Sequence, residues 1–171
     1  MKTKKISTLF IMILTACILA ACGPAEKNRP SAIISADSSY LFTYNGTIMA
    51  PGMAAENILS SLGEPKNYYE ADSCAAAGKN RYYSFDHFTL TTFMESGSDS
   101  EILIKIDLTD DVVSTNEGIY LGSPVSDVDS IYGVPSRTEN NCLFYDKGDM
   151  TLTILTTDGL VSNIYYEKDG I

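Results

Sequence analysis

The chain contains no tryptophan and a single histidine, His87. Catalysis by a hydroxyl or thiol nucleophile with an imidazole base needs a histidine held by an orienting partner. His87 falls in a strand beside Asp86, and nothing in the sequence marks such a partner for it. Metal centres need clusters of His, Cys or carboxylates. The nearest grouping, Asp107, Asp110 and Asp111, lacks the glycine and closing glutamate of a calcium loop and reads as a solvated turn. A glycine-rich phosphate loop is also missing. The expectation is a chain with no catalytic residue, no cofactor and no metal, hence not an enzyme. Cations are scarce as well: twelve Lys and Arg stand against twenty-two Asp and Glu, for a net charge of −10. Such a surface repels phosphate backbones, which argues against nucleic-acid binding.

Long apolar runs are limited to one, ISTLFIMILTACILAA at 6–21, preceded by Lys2, Lys4 and Lys5. A basic start, an apolar stretch and small residues before a cut mark a secretory signal. The run is shorter than the roughly 20 residues a membrane-spanning helix needs. Leu19-Ala20-Ala21-Cys22 closes it and resembles the bacterial lipobox, whose cysteine is lipidated and becomes the new N-terminus. The resemblance implies a lipoprotein signal peptide at 1–21 and a lipid on Cys22. It also implies attachment to the membrane through that lipid, on the extracytoplasmic face. Loss of the three lysines takes the charge to −13. Residues 22–39 are small, polar and proline-bearing and read as a flexible tether. Residues 40–171 then form one globular domain of ordinary size. Cys74 and Cys142 remain outside the membrane, where a disulfide between them is one open arrangement.

Residues 52–66, GMAAENILSSLGEPK, and 122–136, GSPVSDVDSIYGVPS, share a plan: a glycine, a short amphipathic run, then Gly-x-Pro. In the second, Ser123 is expected to cap a helix and Pro124 to fill its first turn. Val125, Val128, Ile131 and Tyr132 make one apolar face. Ala55, Ile58, Leu59 and Leu62 do so in the first. Each run is too short to be stable alone. Segments rich in β-branched and aromatic residues follow: 81–86, 87–94 and 101–108, then 141–146, 150–156 and 160–167. In EILIKIDL, Ile102, Ile104, Ile106 and Leu108 are expected on one face of a strand and Glu101, Lys105 and Asp107 on the other. Asp158-Gly159 reads as a tight hairpin. A short strand is expected before each helix, at 47–53 and 118–124. The resulting expectation is an α+β domain of two tandem strand–helix–antiparallel-meander repeats, about 45–110 and 115–168, with helices packed on one face of the sheet.

The glycine–helix–Gly-x-Pro pattern, seen best at 122–135, resembles the tandem-repeat β-lactamase inhibitory protein and the small SmpA/OmlA-type outer-membrane lipoproteins. Neither is an enzyme. Ser73-Cys74 through Phe85, and Thr115-Asn116-Glu117-Gly118-Ile119, are also similar to stretches shared by a group of Gram-positive lipoproteins. The resemblance spans 45–167 and implies fold more than function.

The adjacent tyrosines 68/69, 82/83 and 165/166 each put one ring on either side of a strand. Tyrosine is enriched at interfaces. The first unit carries about eight extra residues near DSCAAAGKNR at 72–81. Lys79 and Arg81 there, with Tyr82 and Tyr83, are expected to border a partner site, because a local positive spot selects acidic partners. The sequence thus leads to a lipid-anchored, non-catalytic cell-envelope protein that binds an envelope or secreted protein. The alternative is an inhibitor of a secreted or envelope hydrolase.

Overall fold

The computed structural model describes residues 39–170. The leader at 1–21, Cys22 and the tether up to residue 38 lie outside the described residues. The elements are β1 (Phe42–Tyr44), β2 (Thr47–Met49), α1 (Ala55–Leu62), β3 (Asn67–Asp72), β4 (Gly78–Ser84), β5 (Phe88–Glu95), β6 (Glu101–Leu108), α2 (Val125–Tyr132), β7 (Arg137–Glu139), β8 (Cys142–Lys147), β9 (Met150–Thr157) and β10 (Leu160–Lys168).

β1 and β2 pair with each other alone. The other eight strands form one antiparallel sheet in the order β3-β4-β5-β6-β10-β9-β8-β7. Most of its ladders are hairpins joined by short turns that need left-handed backbone, such as Asp158-Gly159 at φ 53° and 79°. The ladder between β6 and β10 joins residues far apart in the chain, with Ile164 opposite Leu108 and Tyr166 opposite Ile106.

The core collects one side of the strands: Phe88 and Leu90, Leu103, Ile106 and Leu108, Met150, Leu152 and Ile154, and Ile164 and Tyr166. Phe42 and Met49 of the first hairpin join them, as do Ile58 of α1 and Val128 of α2. Each such side chain contributes roughly 1.5–3 kcal/mol when fully buried.

The α+β expectation is corrected here. The described residues are mostly strand, in one eight-stranded antiparallel sheet, with two helices of eight residues each. Two separate strand–helix–meander units are not what the chain builds. β2 is used up by β1, and the segment before α2 forms isolated bridges such as Ser114 to Tyr120 instead of a strand. The physical reason lies in how little each helix buries. α1 sinks Ala55 and Ile58, and α2 sinks Val128, while Ile131 is 45% exposed. So narrow a stripe does not make a layer, and the strands supply the bulk of the core.

Two local expectations change as well. Neither helix has a side-chain cap; Ser123 is buried, and its Oγ accepts the N–H of Tyr120 at 3.0 Å, shaping the turn ahead of α2. In β6 the register against β5 slips between Thr91 and Thr92, leaving Ile104 unpaired in a bulge. Leu103, Ile106 and Leu108 therefore face the core, and Ile104 turns to the opposite side with Lys105 and Asp107.

Candidate functional site

The side of the sheet away from that core is open and forms a hollow of about 710 Å³. Residues from every strand of the large sheet line it, and none comes from a helix. The registers show how it is built. One row crosses all eight strands: Asn67, Ser84, Thr89, Asp107, Tyr165, Thr153, Phe144, Arg137. A second row crosses seven: Tyr69, Tyr82, Thr91, Lys105, Glu167, Thr151, Asp146. Period-two alternation puts the intervening residues in the core, so a polar floor and an apolar underside come from the same strands.

Stacked pairs organise the floor. At one end Tyr69 and Tyr82 lie parallel, with centroids 4.3 Å apart and planes 9° off. At the other, the Arg137 guanidinium sits 4.0 Å above the Phe144 ring. In the middle, Lys105 Nζ lies 3.9 Å from the Tyr165 centroid and bridges Asp107 at 3.3 Å and Glu167 at 3.2 Å. Burial pulls the Lys105 ammonium down, but the two carboxylates outweigh it and hold the group above its ordinary range. Burial and the Glu167 charge push the Tyr165 phenol up. The floor therefore offers hydroxyls, carboxylates and ring faces at fixed positions. Rigid aromatic rings and arginine are what protein interfaces are enriched in. A smaller hollow of about 330 Å³ extends it, lined by Ala71 to Ala75 and sharing Asn80, Tyr82 and Ile104.

The four expected partner-site residues divide between the two faces. Tyr82 lines the hollow. Lys79, Arg81 and Tyr83 point the other way. Lys79 is bonded to Glu70, and Arg81 Nη1 donates to Glu101 Oε2 at 2.7 Å. The Tyr83 hydroxyl donates to Glu101 Oε1 at 2.9 Å, and that oxygen also accepts from Thr92. Burial first, and then this hydrogen bond, push the Tyr83 phenol up to about 12. The bond from Lys79 holds the Glu70 carboxyl low. The expected bare positive spot is thus neutralised within the chain.

Cys74 and Cys142 are both free. Cys74 lies in the β3–β4 turn and Cys142 starts β8, with β5, β6, β10 and β9 between them. Five strand spacings amount to roughly 24 Å, far beyond the 7 Å a disulfide spans. His87 does have a partner that the sequence did not mark. Its Nδ1 is 2.6 Å from Asp110 Oδ2, twenty-three residues away. The pairing follows from Thr109 donating its N–H to the His87 carbonyl at 2.9 Å, which ties the β4–β5 turn to the end of β6. No hydroxyl or thiol is hydrogen-bonded to His87 among the described residues. The His87 bond holds the Asp110 carboxyl low. No group of three His, Cys, Asp or Glu among the described residues is placed to hold a metal ion.

The residues that sequence reading missed are Asn80, Ile104, Thr89, Thr151, Phe144 and Arg137. Residue type flagged the strands of Thr89, Ile104, Phe144 and Thr151, but not β7 with Arg137 or the start of β4 with Asn80, and which ladder joins which is not a local property. The bulge at Ile104 has no signal in the residue pattern.

No family model matches the chain, and no curated protein matches it. Among solved structures it is similar to a cysteine-rich secretory protein from Staphylococcus aureus, at 11% identity and a TM-score of 0.53. The match covers 78% of this chain and 49% of that one, so this chain spans about half the length of its structural relative. At such identity the likeness concerns the fold alone.

Proposed function

We propose that the protein is a lipid-anchored, non-catalytic component of the cell envelope, held through Cys22, and that the open face of its sheet binds a protein partner. One observation carries the second half. A continuous face of eight strands is left without a helix, and its rings and cations are held in stacked pairs instead of moving freely in solvent. Groups ordered in advance lose less entropy on binding. Breadth suits a protein surface better than a small molecule, because the hollow has no deep apolar pocket to enclose one. The anchor rests on the lipobox-like Leu19-Ala20-Ala21-Cys22. Inhibition of a secreted hydrolase, a narrower case of the same activity, takes support from the 71–75 segment, which rims one end of the face as an inserting loop would.

The test is photo-crosslinking in intact cells, with a photoreactive amino acid placed at Tyr82, at Phe144 or at Ile131. The reading expects one common protein captured from Tyr82 and Phe144, at the two ends of the face, and not from Ile131. Capture of unrelated species from the two ends, or of the same species from all three positions, rejects it.

A further inference from the structure

The geometry points to a second interaction surface, at one rim of the open face: the free edge of β3, built to pair with β3 of a second copy of this chain. β3 is an outer strand, and all six of its residues are exposed. Unpaired edges invite strand addition, and proteins usually blunt them with charged side chains, proline, bulges, short strands or a covering segment; of these β3 carries only charges, on Glu70 and Asp72. The opposite edge, β7, is three residues long. β3 has twice that length, no proline within it and no register break against β4.

The direction of its free groups follows from the ladder. Ser73 donates its N–H to the Gly78 carbonyl at 3.0 Å, directly beyond the Asp72–Lys79 pair. By alternation, residues 67, 69 and 71 direct their backbone groups at β4, and Tyr68, Glu70 and Asp72 direct theirs outward.

A second copy laid antiparallel, with Tyr69 opposite the second copy's Tyr69, satisfies these groups. Tyr68 N–H meets the second copy's Glu70 carbonyl, Glu70 N–H meets its Tyr68 carbonyl, and the twofold axis repeats both. The side chains agree with this register. Tyr68 comes opposite the second copy's Glu70, where its hydroxyl can exchange the bond it makes to its own Glu70 at 3.1 Å for one across the axis. Lys66, which pairs with Asp86 in its own chain, comes level with the second copy's Asp72, so an exchange of that exposed pair lets opposite charges meet twice across the axis. Glu70 is already neutralised by Lys79 and Arg81. On the open side the Tyr69 rings, 57% exposed, continue the Tyr69–Tyr82 stack across the axis. A symmetric interface must be self-complementary, and in this register the segment from Lys66 to Asp72 is.

The test uses the full chain in intact cells, with Cys74→Ser and Cys142→Ser as background and Tyr69→Cys added. Opposed residues of a non-hydrogen-bonded pair have Cβ atoms roughly 5 Å apart, close enough for a disulfide after slight adjustment. Mild oxidation should give a species of twice the chain mass on a non-reducing gel and by intact mass. That species should be missing from the background chain and from Leu160→Cys, another exposed position. Asp72→Lys sets like charges against each other twice and should lower the dimer yield roughly tenfold, and adding Lys66→Asp should restore it. Circular dichroism of each purified variant establishes that it is folded. A folded Tyr69→Cys chain that stays monomeric overturns the proposal. So does a crosslinked species of any other mass, which would assign the edge to a different protein, or a charge swap that fails to restore the dimer. None of these outcomes bears on the photo-crosslinks from Tyr82 and Phe144.

Discussion

Arg81 of β4 reaches over β5 to Glu101 of β6, bringing Nη1 to 2.7 Å from the carboxylate. Beneath the bridge lies Thr92, fully buried, whose hydroxyl also donates to Glu101. One carboxylate thus ties three neighbouring strands together. Glu101→Ala should cost about 1–3 kcal/mol, because it leaves the Thr92 and Tyr83 hydroxyls without their acceptor and takes from Arg81 one of its two carboxylates. Part of that is screened, since the Arg81 side chain is 23% exposed. Urea unfolding read by circular dichroism checks it. Lys79→Glu with Arg81→Glu should lower the urea midpoint for the same reason, so a binding loss in that double variant would not by itself identify a partner site.

Tyr82→Ala is the cleaner probe of the open face. Its ring lies on the hollow and stacks on Tyr69, outside the core. Affinity for the protein captured by crosslinking should fall on the order of tenfold, the effect of removing one aromatic anchor, with the urea midpoint nearly unchanged. Equal affinity for wild type and Tyr82→Ala, measured by calorimetry, would remove this end of the sheet from the site.

Stability should decline at alkaline pH through Tyr83. Its folded-state pKa is raised from 10.0 to about 12, first by burial and then by the Glu101 hydrogen bond. The neutral phenol is the form that fits the fold. Its contribution is complete below the unfolded value of 10.0 and is lost as pH rises through the folded value, so the window runs from 10 to 12. Tyr166, buried in the core with its phenol pushed well up, acts in the same direction. Urea midpoints at stepped pH should fall through this window for wild type. The slope should be shallower for Tyr83→Phe, and identical slopes would contradict the assignment.

Val128 is fully buried and Ile58 nearly so, whereas Ile131, one turn on from Val128, is 45% exposed. Truncation to Ala at Val128 or Ile58 should cost on the order of 1–4 kcal/mol. Ile131→Ala should stay within about 0.5 kcal/mol. Denaturant midpoints that rank Ile131→Ala with the other two would mean that α2 packs on a different face.

Labelling with a clickable fatty acid tests the anchor. Wild-type chain should take up label, and Cys22→Ala should not, because the acceptor sulfur is gone. An unlabelled wild-type chain disproves the lipoprotein proposal.

Much of the strand content was legible from residue type. Residue type marked strands at 150–156 and 160–167, and the structure shows them burying Leu152 and Ile154, and Ile164 and Tyr166. Gly63 and Gly133 signalled helix ends, and both adopt positive φ, 78° and 71°, with N–H bonds back to Leu59 and Asp129. The layer architecture was not legible. A helix of eight residues shows an apolar face in sequence whether it buries one side chain or four. The bulge at Ile104 was hidden because Ile102, Ile104 and Ile106 alternate perfectly, and only pairing with Thr91 and Thr92 reveals the extra residue. The candidate site was half legible. Tyr82 was chosen for its neighbours in sequence, but Lys79 and Arg81 were given to the same surface although strand parity sends them to the other.

The ladder between β6 and β10 also bears on how fast the protein folds. The hairpin ladders close short loops, which form in microseconds. Bringing Leu108 to Ile164 instead closes a loop of more than fifty residues, and entropy charges more for distance along the chain. Contacts of such separation slow folding. Ile106, Leu108, Ile164 and Tyr166, at most 2% exposed, meet along this seam. Part of the fully buried core therefore comes with the contact that is hardest to reach. Productive collapse waits for that closure, and until it occurs the inner edges of β6 and β10 stand unpaired, the surfaces through which a nascent chain is most open to mispairing.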